Sequence, residues 1–191
     1  MKVTKLKDLS QKDYQRIVKR SAGTNPEIMP KVRKTMEDVR KYGDKVLIGD
    51  FKKRFGEENY KSLLVSKEEI DQAYKEVSKE FISGIKQMIK NITAVHQAQL
   101  PKKKDKVVES EKGISVWREW RPIEKVGLYI PGGKAIYPSS VLMSAIPAKI
   151  AGCKEIIMCS PARGNGQIPA PTLVAADMIG ITKIYKTGGA E

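Results

Sequence analysis

The chain is short of the residues that build metal centres and disulfide frameworks. Its 191 residues include one histidine, His96, and two cysteines, Cys153 and Cys159. Two cysteines six positions apart, one of them in an apolar run, make neither a disulfide framework nor a good zinc spacing. They read as small buried hydrophobes in a reducing compartment. His96, in "NITAVHQAQ", reads as a surface or packing histidine of a helix, because a zinc site draws on several His or Cys donors. No apolar run approaches ~18 residues, so no membrane-spanning helix is expected. The basic start, "MKVTKLKDLSQKDYQRIVKR", lacks the apolar segment of a secretory signal. A cytoplasmic location is the expectation.

Aromatic residues make up only 6% of the chain, which bears on its charge of +14. Residues 1–120 hold 28 basic and 18 acidic side chains, and residues 121–191 hold 8 and 4. Such an excess can mark a nucleic-acid footprint. Here the lysines are interleaved with acids along amphipathic segments, and no aromatic series accompanies them for base stacking. The one dense cluster, "PKKKDK" (101–106), falls in a loop-like passage. Nucleic-acid binding is therefore disfavoured against a basic, solvated surface.

What is present divides the chain near residue 121. The first part, residues 1–121, reads as mainly helical. Ser10 caps "QKDYQRIVK", with Asp13 three residues on in capping-box spacing. After "GTNP" (23–26), Pro30 suits a first helical turn. Val32, Met36 and Val39 then keep helical spacing, and Gly43 is a stop. Ser66 and Glu69 form a second box. From there Ile70, Ala73, Val77, Phe81, Ile85, Ile89 and Ile92 make one apolar stripe about six turns long, ended by Pro101. A stripe of that length predicts one continuous helix that needs a partner surface. "VVESEKGISVWREWR" then alternates with period two around Gly113, as a short hairpin does.

Residues 122–191 change pattern: strand "KVGLYI", helix "SSVLMSAIPAKIAG", strand "EIIMCS", helix "TLVAADMIG", strand "KIYKTGG". Ser139 or Ser140 is the expected cap of the first of these helices. Strands alternating with helices at this spacing predict a parallel sheet. The fold class is thus α/β, a helical N-terminal region followed by an incomplete Rossmann-like parallel β-α-β unit. In such sheets, ligands sit beyond the carboxyl ends of the strands, here "PGG", "SPARGNG" and "GGAE". Gly132 and Gly133 remove the Cβ atoms that would keep a phosphate or nicotinamide from the backbone. The alternative is a tight turn with Tyr129 in the core. Neither G-x-G-x-x-G nor a P-loop occurs.

"RPIEKVGLYIPGG", "YPSSVLMSAIPAKIAGCKEIIMCSP" and "TGGAE" closely resemble the N-terminal half of histidinol dehydrogenases, as do "VRKYGDKVL" and "VSKEEIDQAYKEVS". The resemblance covers nearly the whole chain and is densest in 121–191. It implies an NAD-dependent, zinc-containing dimeric enzyme that oxidises L-histidinol twice to L-histidine. It also implies that Tyr129 lies against NAD, that Pro161 borders that site with Pro131, Gly132 and Gly133, and that the position after "GGA" contacts NAD. The family has glutamine there and this chain has Glu191. A carboxylate only accepts hydrogen bonds and adds negative charge beside a pyrophosphate, so this departure counts against cofactor affinity.

The resemblance places the family's zinc ligands, its catalytic Glu-His pair and further strands of its second sheet beyond Glu191, so "KIYKTGG" is expected to end as an exposed edge or to pair with another molecule. The cofactor-binding set is then Tyr129, Pro131, Gly132, Gly133, Pro161 and Glu191, with no catalytic or metal residue. On that reading the chain is an N-terminal portion, catalytically silent alone, with NAD and L-histidinol as ligands and a homodimer or complementary chain as partner. Two alternatives stand beside it. One is a nucleotide-binding or dimerisation module without catalysis, and the other a basic nucleic-acid-binding protein.

Overall fold

A computed structural model describes residues 4–19, 28–101, 105–132 and 135–188. Gly133, Glu191, the "GTNP" passage and residues 102–104 of the "PKKKDK" cluster lie outside the described residues.

The helices begin where short polar side chains serve their first N–H groups. α1 (Gln11–Lys19) opens at Ser10, whose Oγ accepts from the Asp13 N–H at 3.1 Å and donates to its carboxylate at 2.7 Å. α2 (Ile28–Tyr42) starts two residues before Pro30 and closes at Gly43. There φ is 67° and the N–H reaches the Val39 carbonyl at 2.8 Å. The glycine ends α2 as expected, and α3 (Asp44–Phe55) follows at once. Sequence patterning did not anticipate α3. Its half-buried Val46, Leu47, Ile48 and Phe51 make only a short stripe.

The long stripe does fold as helix, but as two pieces. α4 (Lys67–Glu76) carries the complete Ser66–Glu69 capping box. Val77 is extended, with φ −104° and ψ 149°, and Ser78 caps α5 (Lys79–Gln99) by accepting from the Phe81 N–H at 3.1 Å. The expected single helix is therefore corrected to a pair. A second serine cap outcompetes helix continuation at Val77, since serine favours a cap over a helix interior. All seven stripe residues still lie in the core or pack against it.

β1 (Val108–Glu111) and β2 (Ile114–Val116) form the antiparallel hairpin, turned at Gly113 with φ 86°. β3 (Lys125–Tyr129), α6 (Pro138–Ala151), β4 (Glu155–Cys159), α7 (Ala170–Met178) and β5 (Lys183–Tyr185) follow. The three strands are parallel in the order β3-β4-β5, with Tyr129 opposite Cys159 and Cys159 opposite Tyr185. Tyr137 is the N-cap of α6 and makes no side-chain cap bond. Ser139 and Ser140 sit inside the first turn instead of capping it. Pro138 takes the first helical position, where its fixed φ fits and its missing N–H costs nothing. Cys153 and Cys159 are not joined in a disulfide, and each is partly exposed where burial was expected.

α6 and α7 pack side by side. α5 lies on α6 and α4 on α7, giving the stripe its partner surface within the chain. Ile130, Val141, Leu142, Met158, Val174, Ile181 and Ile184 are buried at the centre, joined by Val65, Ala73 and Ile85 from the helical part. The outer edge of β5 is occupied. Val65 N–H donates to the Ile184 carbonyl at 2.9 Å, and Lys186 N–H donates to the Leu63 carbonyl at 2.6 Å. Leu64 bridges Tyr185 in antiparallel fashion between them. The strap 63–65 thus satisfies the edge that the sequence left open, which corrects the expectation of an exposed "KIYKTGG".

Candidate functional site

The carboxyl ends of the three strands meet at one proline. After β3 the chain runs through Ile130, whose N–H donates to the Cys159 carbonyl at 2.8 Å. After β4 it runs through buried Ser160, whose N–H donates to the Tyr185 carbonyl at 3.0 Å. These ladders carry the pairing past the strand ends and bring Gly132, Pro161 and Gly188 together. A Cβ on Gly132 would stand 2.8 Å from the Pro161 Cγ, and one on Gly188 would stand 2.8 Å from its Cβ. Real Cβ atoms do not approach so closely, so both neighbours of the proline ring must lack a side chain.

Above these ends opens a cleft of about 850 Å³, the size of a small-ligand site. Its floor is Gly132, Pro161, Ala162 and Gly188, and its opposite wall is α3 with the segment after it. The α3 side brings an aromatic row: Phe51 stacks on Tyr60 with ring centres 4.0 Å apart and meets Phe55 at 4.7 Å. Charge in the cleft is mostly positive, from Lys53, Arg54, Arg163 and Lys186 against Asp50. The Arg54 guanidinium lies 5.0 Å from the centre of the Phe55 ring. The β4–α7 loop is folded back by Gly166, whose φ of 76° and contact with Tyr60 suit only glycine. Its N–H donates to the Arg163 carbonyl at 2.8 Å, and the Arg163 N–H donates to the Gln167 carbonyl at 2.9 Å.

Of the residues expected at the site, Gly132 and Pro161 line this cleft. Tyr129 and Pro131 do not. Tyr129 is 55% exposed, at the last ladder position of β3, where strand alternation turns it away from the half-buried Leu128 that packs on the core. It is not a core residue. Sequence reasoning missed Phe51, Lys53, Arg54, Phe55 and Tyr60, which belong to the unanticipated α3 and the turn after it. The signal was there in "DFKKRF", aromatic and basic residues at helical spacing. Arg163 and Lys186 were equally readable, lying four residues and one residue past a strand end.

His96 lies on α5, its Nδ1 2.8 Å from the Gln99 side-chain oxygen, and does not line the cleft. Among the described residues no three His, Cys, Asp or Glu side chains come together to hold a metal ion. These residues do not fit a zinc centre.

A three-stranded parallel sheet with helices α6 and α7 between its strands, and a ligand-sized cleft beyond its carboxyl ends, defines a Rossmann-like α/β protein. The family model for histidinol dehydrogenase matches residues 18–191, and the chain belongs to that family. It is 39% identical over 191 residues to a histidinol dehydrogenase of Methanocaldococcus jannaschii, covering 100% of this chain and 44% of the relative. It is 41% identical over 181 residues to one of Clostridium acetobutylicum, covering 95% and 41%. A crystal structure of histidinol dehydrogenase from Elizabethkingia anophelis superposes with a TM-score of 0.81 at 37% identity, covering 95% of this chain and 41% of that one. The chain thus spans less than half the length of these relatives. No described helix is long and apolar enough to cross a membrane.

Proposed function

We propose that the cleft over the strand ends is one wall of an NAD site, and that the chain contributes it to the oxidation of L-histidinol to L-histidine. The observation that carries this reading is the meeting of Gly132, Pro161 and Gly188 at the floor of a cleft whose walls hold four cations and an aromatic row. A dinucleotide needs both kinds of wall. Lys53, Arg54 and Arg163 offer charge-assisted donors for a pyrophosphate, and Phe55 offers a ring face for a flat base. Gly132 and Gly188, lacking Cβ atoms, let the strand ends close on Pro161 to form the floor under such a ligand. Tyr129, Pro131, Gly133 and Glu191 enter the same assignment through the family resemblance. When bound, NAD supplies the hydride acceptor for the alcohol and then for the aldehyde. The chain's own share is binding and orientation, and no zinc-dependent step is derived from its residues. The unit 122–191 is the partial NAD-binding domain in this reading. The protein works in the cytoplasm, as a homodimer or with a complementary chain.

Calorimetric titration of the chain with NAD at moderate salt tests the proposal. Saturable binding is expected, weakened by added salt and by Arg54→Ala or Arg163→Ala. Histidinol-dependent NADH formation by the chain with zinc is expected to be absent. Failure of NAD to saturate removes the cofactor assignment, and NADH formation removes the assignment of a binding share alone.

A further inference from the structure

Lys186 lines the cleft with its side chain almost out of water, 8% exposed. It meets the two carboxylate oxygens of Glu69 at 3.0 and 3.3 Å and lies 5.3 Å from the centre of the Tyr60 ring. Its backbone is pinned from both sides: the Tyr60 hydroxyl donates to the Lys186 carbonyl at 2.8 Å, and the Lys186 N–H donates to Leu63. Lys186 and Tyr60 also line a second groove of about 510 Å³, and Glu69 lines that groove but not the cleft. Lys186 therefore borders both cavities, with its counter-charge on the side of the second groove. Glu69 cannot swing to follow a ligand. The same carboxylate accepts from the Ser66 N–H at 2.9 Å, closing the capping box of α4.

We propose that Glu69 is a positioning residue that sets the anion affinity of the cleft, by holding the Lys186 ammonium in an ion pair behind the wall. The inference rests on reading the cleft as a site for a phosphate-bearing ligand. A paired ammonium presents a dipole, whose field falls faster with distance than that of a lone charge. Lys53, Arg54 and Arg163 then bear most of the attraction, and Lys186 is held in check. Removing the Glu69 charge while keeping its shape releases the cation toward the cleft.

Glu69→Gln is the informative change, because glutamine at this position still completes the capping box. The probe is inorganic pyrophosphate, titrated calorimetrically against the full chain. Glu69→Gln is expected to tighten binding about fivefold, the scale of one unit charge acting over ~10 Å in a partly solvated site, and to steepen its salt dependence. Lys186→Gln is expected to weaken binding by a similar factor, and the double variant to return close to the parent. A purely structural tie predicts weaker binding for both single variants, and that result overturns the proposal, as does an unchanged Glu69→Gln. Should Glu69→Gln fail to fold, Lys186→Gln and the double variant decide: absence of restoration in the double overturns the proposal. NAD titration of the parent chain tests the cofactor reading separately. Loss of NAD binding with the pyrophosphate pattern intact removes the cofactor and leaves the role of Glu69 standing. No pyrophosphate binding by any variant removes the role of Glu69.

Discussion

Gly132 and Pro161 are in such close contact that a single methyl group on the glycine would stand 2.8 Å from the proline Cγ and 3.1 Å from its Cδ. Neither Gly132 nor Gly188 has a left-handed φ, so the demand for glycine is steric. The sequence reading gave this glycine to an approaching cofactor. The structure gives it a prior task, which is to let three strand ends close on one ring.

Gly132→Ala is therefore expected to cost about 1–3 kcal/mol, the usual range for overpacking a closely fitted site. A proline ring has little freedom to move aside. Pro161→Ala removes the obstructing Cγ and Cδ, so the double variant should recover much of the loss. Thermal unfolding of the four proteins in a double-mutant cycle checks this. Additive losses would mean that the two residues do not crowd one another.

The break between α4 and α5 carries a prediction of sign. Ser78 accepts from the Phe81 N–H at 3.1 Å, and loss of such a cap costs about 1 kcal/mol. Were 67–99 one continuous helix, alanine at this position would stabilise it, being the better helix former. Ser78→Ala is expected to lower the urea midpoint with an unchanged slope. A raised midpoint would restore the single helix.

How much of this was legible follows from the range of the forces involved. Capping at Ser10 and Ser66, the turns at Gly43 and Gly113, and the β-α-β alternation are local, and the residues that make them adjoin in sequence. The stripe from Ile70 to Ile92 identified the buried face correctly, because burial depends on periodicity and survives a break at Val77. The break itself was hidden, since an apolar residue before a serine keeps the period. The strap over β5 was hidden for another reason: Leu63 and Lys186 are joined by backbone groups, which every residue carries. The cleft was half legible. Its floor is written in glycine and proline, while its α3 wall depends on a short helix that only tertiary packing brings over the strand ends. Tyr129 shows the limit of motif reasoning. The strand end was placed correctly, but pairing parity decides which way its ring faces.

Tyr74 predicts behaviour in alkali. Its hydroxyl donates to the Asp177 carboxylate at 2.7 Å, tying α4 to α7. Burial and that carboxylate together push its pKa up to about 12. A tyrosine with an ordinary pKa near 10 when unfolded is thus held protonated in the fold. Its contribution to stability is fully present below about pH 10 and is lost as pH rises toward the folded value. Tyr74→Phe is expected to cost about 1 kcal/mol at neutral pH, the net worth of a partly exposed hydrogen bond. The difference from the parent should shrink above about pH 10. A gap that persists unchanged at pH 11 would rule out the tie to Asp177 as its source.

Glu155 predicts the opposite behaviour in acid. From the start of β4 its carboxylate reaches Lys183 on β5 and, at 3.3 Å, Lys125 on β3, spanning the whole sheet. The hydrogen bond and charge of Lys183, then those of Lys125, hold its pKa below the ordinary carboxylate value. A depressed folded pKa gives stability that is present above the unfolded value, about 4.3, and lost as pH falls through the folded one. Glu155→Gln should therefore be less stable than the parent at neutral pH and converge with it as pH drops below about 4.3. The groups are partly exposed, so 1 M salt, with a Debye length of about 3 Å, should close most of the gap at neutral pH as well. Denaturant titrations across pH and salt provide the check. A gap indifferent to both would mean that Glu155 acts through packing and not through charge.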